Sequence, residues 1–206
     1  QNKTQNIMVL KAKELHQKLK FKCKQCGKCC DETIIQLAPY DIKNICNILK
    51  ITIKEFHEKY SMFRPFDEIP RCYLRNRPKC PFKENNQCTI YLSRPLRCRL
   101  FPLGRVYENN EVMIVLPEEK CMGFNTRKKQ RISEWFEEQL VNQLNEESLN
   151  WNNFLIELKE DPVIKNKEFK EMFKKIFYGF DDTNISMEEL YKQFNETKTH
   201  LNSSVQ

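Results

Sequence analysis

Apolar and polar positions divide the chain near Phe124 and Asn125, with short mixed elements before that point and helical stripes after it. In residues 7–20, Leu10, Leu15 and Leu19 fall broadly on one side, and the spacing predicts a helix. Thr33-Ile34-Ile35-Gln36-Leu37 is a short apolar run. Pro39 suits the first turn of a helix in which Ile42, Ile45, Cys46 and Leu49 recur at helical spacing. Thr52 and Glu55 form a capping box ahead of a second short helix carrying Phe56 and Tyr60. Val106 to Ile114 reads as two strands around an Asn109-Asn110 turn.

Beyond the boundary, Ile132, Trp135, Phe136, Leu140 and Leu144 make one apolar stripe. Asp161 and Pro162 suit an N-cap and first helical position. Phe169, Met172, Phe173, Ile176, Phe177 and Phe180 form a denser stripe. Ser186 and Glu189 make a further capping box, before a last helix with Leu190, Tyr191 and Phe194. These aromatic faces are expected to pack against the first part rather than to receive a partner. A polar end from about Thr197 is expected to fray. The fold class is therefore α+β. A small cysteine-rich domain with short strands and an N-terminal helix (1–124, its motifs starting at 21) precedes an α-helical region (125–206).

Composition changes this picture little. The 206 residues are 40% apolar and 31% charged, as in an ordinary globular chain. The longest early apolar patch, Ile7-Met8-Val9-Leu10, is too short for a membrane span or a secretory signal, so a cytoplasmic location is expected. Ten cysteines in such a chain argue for metal rather than disulfides. A secreted disulfide protein is the rival reading, and sequons at Asn2, Asn184, Asn195 and Asn202 would suit it. However, an Asn-rich chain produces sequons by chance.

The net charge is +7, unevenly spread. Residues 1–124 carry 23 Lys and Arg against 13 Asp and Glu, and the remainder 12 against 15. A basic part could serve nucleic acid. A four-thiolate metal site carries a formal charge of about −2, so part of the excess can be internal compensation, which weakens the nucleic-acid reading.

The chemistry lies in the cysteines. Cys23-x-x-Cys26-x-x-Cys29-Cys30 places four thiols within eight residues, and Cys80, Cys88, Cys98 and Cys121 follow at wide intervals. Thiolate sulfur is the ligand of zinc and of iron–sulfur clusters. Cys23-x-x-Cys26-Gly27 has the spacing of a zinc knuckle, with glycine free to take a left-handed turn. Continued to Cys29, with the remote Cys80-Pro81, the spacing is instead that of an iron–sulfur site.

In extended backbone Cys29 and Cys30 would point to opposite sides. That predicts two adjacent four-thiol sites: Cys23, Cys26 and Cys29 with one remote cysteine, and Cys30 with the other three. Cys46 lies on the apolar side of a helix and Cys72 in an Arg-rich stretch, and both are left outside the ligand set. His16, His57 and His200 show no ligand spacing, and four glycines cannot build a P-loop or dinucleotide fingerprint. A hydrolytic zinc centre and nucleotide-driven chemistry are thus unsupported.

Cys80-Pro81-Phe82, followed by Cys88-Thr-Ile-Tyr-Leu-Ser-Arg-Pro-Leu-Arg-Cys98-Arg-Leu-Phe-Pro102 and taken with Cys23-x-x-Cys-Gly-x-Cys-Cys30, closely resembles the CxxCxxCC cysteine-cluster family, also called YkgJ-like. The resemblance covers about residues 21–124. It implies a zinc- or iron-chelating module with Cys23, Cys26, Cys29, Cys30, Cys80, Cys88, Cys98 and Cys121 as ligands. It defines no reaction; members are often described as iron–sulfur oxidoreductases.

Ser93 can cap a turn starting at Arg94 and Pro95 that lifts Cys98 towards the site. Arg94, Arg97 and Arg99 then become candidates to offset thiolate charge around a cofactor, against the alternative of ordinary surface pairs. Two function classes follow. One is an iron–sulfur protein ([4Fe–4S] by its spacing) with an electron-transfer or redox role and a protein or redox partner. The other is a zinc-stabilised structural or interaction module with two four-cysteine sites. No catalytic residue is assigned.

Overall fold

The computed structural model describes residues 8–11, 16–24, 26–64, 67–108, 111–116 and 121–203. The expected turn at Asn109-Asn110 lies outside them. The fold is α+β, with small antiparallel sheets in the cysteine-bearing part and helices in the C-terminal part.

The chain begins with β1 (Met8–Lys11) and β2 (Lys18–Leu19). A helix over 7–20 was expected, and the strands correct it. β1 pairs antiparallel with β9 (Glu111–Leu116), itself the hairpin partner of β8 (Gly104–Glu108), giving the order β1-β9-β8. A partner a hundred residues away supplies the backbone bonds that helical spacing alone cannot anticipate. β2 pairs with β10 (Gln130–Arg131).

The middle of the chain follows its local signals. After α1 (Lys28–Glu32) and β3 (Gln36–Leu37), α2 (Pro39–Leu49) opens on Pro39 and buries Ile42, Ile45 and Cys46. α3 (Ile53–Tyr60) starts at the Thr52 cap: the Thr52 Oγ1 accepts from Glu55 N–H at 3.2 Å, and the Thr52 N–H donates to the Glu55 carboxylate at 2.8 Å. β4 (Ser61–Phe63) and β5 (Cys72–Leu74) complete a sheet of order β3-β5-β4. A tight hairpin follows, β6 (Lys83–Glu84) and β7 (Gln87–Cys88), then a 3-10 turn over Tyr91–Ser93 and the five-residue α4 (Leu96–Leu100).

The stripe from Ile132 to Leu144 is not one helix. α5 (Ile132–Glu138) stops, and Leu140 takes φ 57° before α6 (Asn145–Lys159) begins. Asp161 caps a 3-10 turn through its carboxylate, accepting from Val163 N–H at 2.9 Å. α7 (Phe169–Tyr178) carries the aromatic stripe. α8 (Met187–Ser203) continues as helix past Thr197, where fraying was expected. Its backbone ladder there is joined by Thr197 and Thr199 hydroxyls donating to carbonyls one turn earlier.

One buried cluster runs through both parts of the chain. Phe169, Phe173, Phe177 and Phe194 are almost fully buried, and the last three meet the rings of Trp151, Phe154 or Tyr191, mostly edge-on or tilted. Polar contacts cross between the parts as well. His57 Nε2 lies 2.7 Å from the Tyr178 carbonyl, and Lys43 Nζ donates to the Ile185 carbonyl at 2.9 Å. Near the cysteines, Phe21 packs edge-on against Trp135 of α5 with ring centroids 5.3 Å apart. The contact between Phe21 and Trp135 holds α5 against the cysteine-bearing segment.

Candidate metal centre

Six of the eight candidate thiols line one cavity of about 430 Å3: Cys23, Cys29, Cys30, Cys80, Cys88 and Cys98. They arrive on separate elements. Gly27, at φ 70°, takes the left-handed conformation and starts α1 immediately after Cys26. Cys29 and Cys30 therefore stand on a helical turn, not on extended backbone, and both face the same cavity. The geometric ground for assigning them to opposite centres is removed. Cys80 precedes the β6–β7 hairpin, Cys88 is the last residue of β7, and Cys98 projects from α4.

An ion pair between Asp31 and Lys83 pins that hairpin to α1. The Asp31 carboxylate also accepts the Cys80 N–H at 2.9 Å, and Lys83 Nζ donates to the Gly27 carbonyl at 3.3 Å. Opposite, Leu96 N–H donates to Asp41 Oδ1 at 3.0 Å, which anchors the start of α4 to α2.

Cys26 and Cys121 are not among the residues lining the cavity. Cys121 lies nearby along the backbone: Lys22 N–H donates to the Gly123 carbonyl at 2.9 Å, and Gly123 N–H donates to Cys121 Sγ at 3.4 Å. A Cβ at Gly123 would meet the Phe21 ring at 2.3 Å, so only glycine lets this turn approach. Among the described residues, no three His, Cys, Asp or Glu side chains are gathered as tightly as a single ion requires. Cys46 and Cys72 are fully buried elsewhere, where burial pushes both thiols up to about 12. Each behaves as a small core residue.

The thiols feel one another. Cys98 is pushed well up by burial and then by the neighbouring Cys30, Cys80 and Cys88. Cys80 rises to about 11 for the same reasons, and Cys88 also rises. Within the adjacent pair, Cys29 is raised because its thiol is hydrogen-bonded to Cys30. Cys30 is lowered to about 7 by that bond and by the positive charges of Lys83 and Arg94. Cys29, Cys80, Cys88 and Cys98 thus resist ionisation, and such a set of sulfurs suits a cation, whose charge removes the mutual repulsion. By donor chemistry, though not by the spacing of the described side chains, the residues suit a metal or a metal cluster.

The three arginines take different places. Arg94 lines the cavity, lies over the Tyr91 ring at 3.6 Å, and donates to the Tyr91 carbonyl at 2.9 Å and to Gln139 Oε1 at 3.1 Å. Arg97 also lines it. Arg99 is buried and donates to the carbonyls of Arg94, Leu92 and Leu140, so it binds the α4 turn to the C-terminal region. Sequence reasoning missed Lys83 and Asp31, which no motif marks. It also missed Phe21 and Trp135, which wall the cavity from either side of the Phe124–Asn125 boundary.

A cavity of convergent thiols on a small α+β scaffold defines a metal-chelating cysteine domain. Residues 22–122 match the CxxCxxCC family, described as a zinc- or iron-chelating domain, and this region of the chain belongs to it. An uncharacterized protein of Methanocaldococcus jannaschii is 31% identical over 96 residues, which cover 46% of this chain and 50% of the relative. The chain thus spans about half the length of that curated relative. No solved structure matches. Among the described residues no helix is long and apolar enough to cross a membrane.

Proposed function

We propose that the cysteine cavity holds an iron–sulfur cluster and that the protein serves a redox or electron-transfer role in a reducing, cytoplasmic setting. The observation that carries this reading is the convergence of six thiols on one cavity of about 430 Å3. A single tetrahedral zinc ion draws its sulfurs to about 2.3 Å and needs no such space. When bound, a cluster would supply one-electron redox chemistry.

The chain's own residues do the rest. Cys23, Cys29, Cys30, Cys80, Cys88 and Cys98 lie close enough for their sulfurs to repel one another when ionised. Phe21, Phe82 and Trp135 keep water from the walls, and Arg94 and Lys83 offset thiolate charge. Cys26, Cys121 and the thiols left over are available to a second site.

A zinc-binding structural module is the second reading. It is favoured by the Gly27 turn after Cys26 and by the Gly123 N–H aimed at Cys121 Sγ, both features of zinc knuckles. Iron and labile sulfide in brown, anaerobically purified protein support the first reading. Colourless protein with stoichiometric zinc overturns it in favour of the second, and protein with no metal overturns both.

A further inference from the structure

α4 borders a second cavity, of about 260 Å3. Cys98 lies on the thiol cavity, Leu96 and Leu100 on the second, and Arg97 on both. Arg71, Arg97 and Arg105 surround the second cavity, and α6 adds Trp151 and Asn152.

The polar atoms there are incompletely satisfied, and all in one sense. Among the described residues, Arg105 Nε and Nη1, Trp151 Nε1 and Asn152 Nδ2 are buried without a hydrogen-bond partner. Trp151 is only 4% exposed. Every one of these atoms is a donor. Buried polar groups are almost always paired, so orphan donors on three residues that line one cavity ask for an acceptor. Arg105 is not loose: its Nη2 donates to Asn145 Oδ1 at 2.9 Å, which fixes the guanidinium while leaving the other two nitrogens uncommitted.

One carboxyl group, that of Asp41, also lines the cavity. Its two oxygens accept the backbone N–H groups of Ala38 and Leu96, each at 3.0 Å. Burial pushes its pKa up to about 7, with Glu147 of α6 adding to the rise. It therefore opposes an incoming anion less than a free carboxylate would. Three guanidinium groups outweigh it.

We infer that this second cavity is a binding site for a small oxyanion, a phosphoryl or carboxylate group, gripped by Arg105, Trp151 and Asn152 with Arg71 and Arg97 at its sides. Guanidinium donors meet such oxygens with charge-assisted bonds, and the buried amide and indole donors add direction. The site is separate from the thiols and needs no metal.

The test uses the full chain, with inorganic phosphate and succinate titrated by calorimetry against chloride at matched ionic strength. Saturable binding of either is expected. Preference for phosphate assigns a phosphoryl ligand, and preference for succinate a carboxylate. N152D sets a negative charge among the donors at nearly unchanged shape, and R97Q removes an exposed charge without touching the core. At least one should weaken binding about tenfold with an unchanged circular dichroism spectrum. R105Q, where it folds, should do the same. No saturation beyond the chloride control, or wild-type affinity in both N152D and R97Q, overturns the proposal.

Discussion

Asp31 follows Cys30 directly, and its carboxylate holds both the Lys83 ammonium and the backbone N–H of Cys80. A residue on the first motif thereby fixes the position of the first remote cysteine. Lys83 closes the arrangement by reaching the Gly27 carbonyl. Groups that orient ligands from behind commonly matter for affinity nearly as much as the ligands do.

Asp31→Asn should therefore weaken metal binding by about tenfold or more while leaving the helices intact. Chelator competition on anaerobic protein measures it, and Lys83→Met should behave alike. Wild-type affinity in both variants would show the clamp to be ornamental to the site.

Cys98→Ser and Cys72→Ser should part company. Cys98 lies on the cavity, whereas Cys72 is wholly buried in β5. The first variant is expected to lose bound metal. The second should keep it and lose only stability. Equal metal content in the two would contradict the assignment of Cys98.

His57 is held neutral. Its Nε2–H donates to the Tyr178 carbonyl at 2.7 Å, and its Nδ1 sits 2.6 Å from Ser61 Oγ. Burial lowers its pKa, so the unfolded chain takes up the proton first as pH falls. Stability should be full above about pH 6.5 and decline as pH drops below it. Thermal melts of His57→Gln across that range should show a flatter acid limb than wild type. Parallel limbs would remove His57 from the account.

Asp41 works in the opposite direction. Burial raises its folded pKa to about 7, so the native state holds a proton that the unfolded chain releases near pH 4. Its favourable contribution is complete below pH 4 and is lost as pH rises through 7. The stability gap between wild type and Asp41→Asn, followed by urea midpoints, should shift towards the variant over that interval. A gap constant with pH would mean that the carboxyl titrates normally.

Phe173→Ala should cost about 3–5 kcal/mol, because the side chain is fully buried among the rings of Trp151, Phe169 and Phe177. Urea denaturation checks the size of the loss. A cost under about 1 kcal/mol would place that ring outside the working core.

Local signals were legible wherever the decision was local. Pro39 and the Thr52–Glu55 box start α2 and α3 as read, and the strands either side of Asn109-Asn110 form as expected. Failures came where a distant partner or one backbone angle decided. Met8–Lys11 became strand because β9 accepts it, and Leu140 at φ 57° split a continuous stripe. The direction of Cys29 and Cys30 was misjudged because the left-handed Gly27 turns the chain into a helix. The convergence of Arg105, Trp151 and Asn152 left no trace in spacing, since tertiary packing alone brings β8 to α6.

The thiol cavity also has a topological meaning. Cys30 and Cys80 belong to stretches of chain fifty positions apart, and α2, α3 and the β3-β5-β4 sheet lie between them. A metal centre gripping both would close that whole stretch into a ring. Ring closure of this size removes freedom from the unfolded chain worth on the order of 4 kcal/mol, by analogy with a covalent bridge. Metal would then add to the stability of the whole fold, including contacts that never touch sulfur.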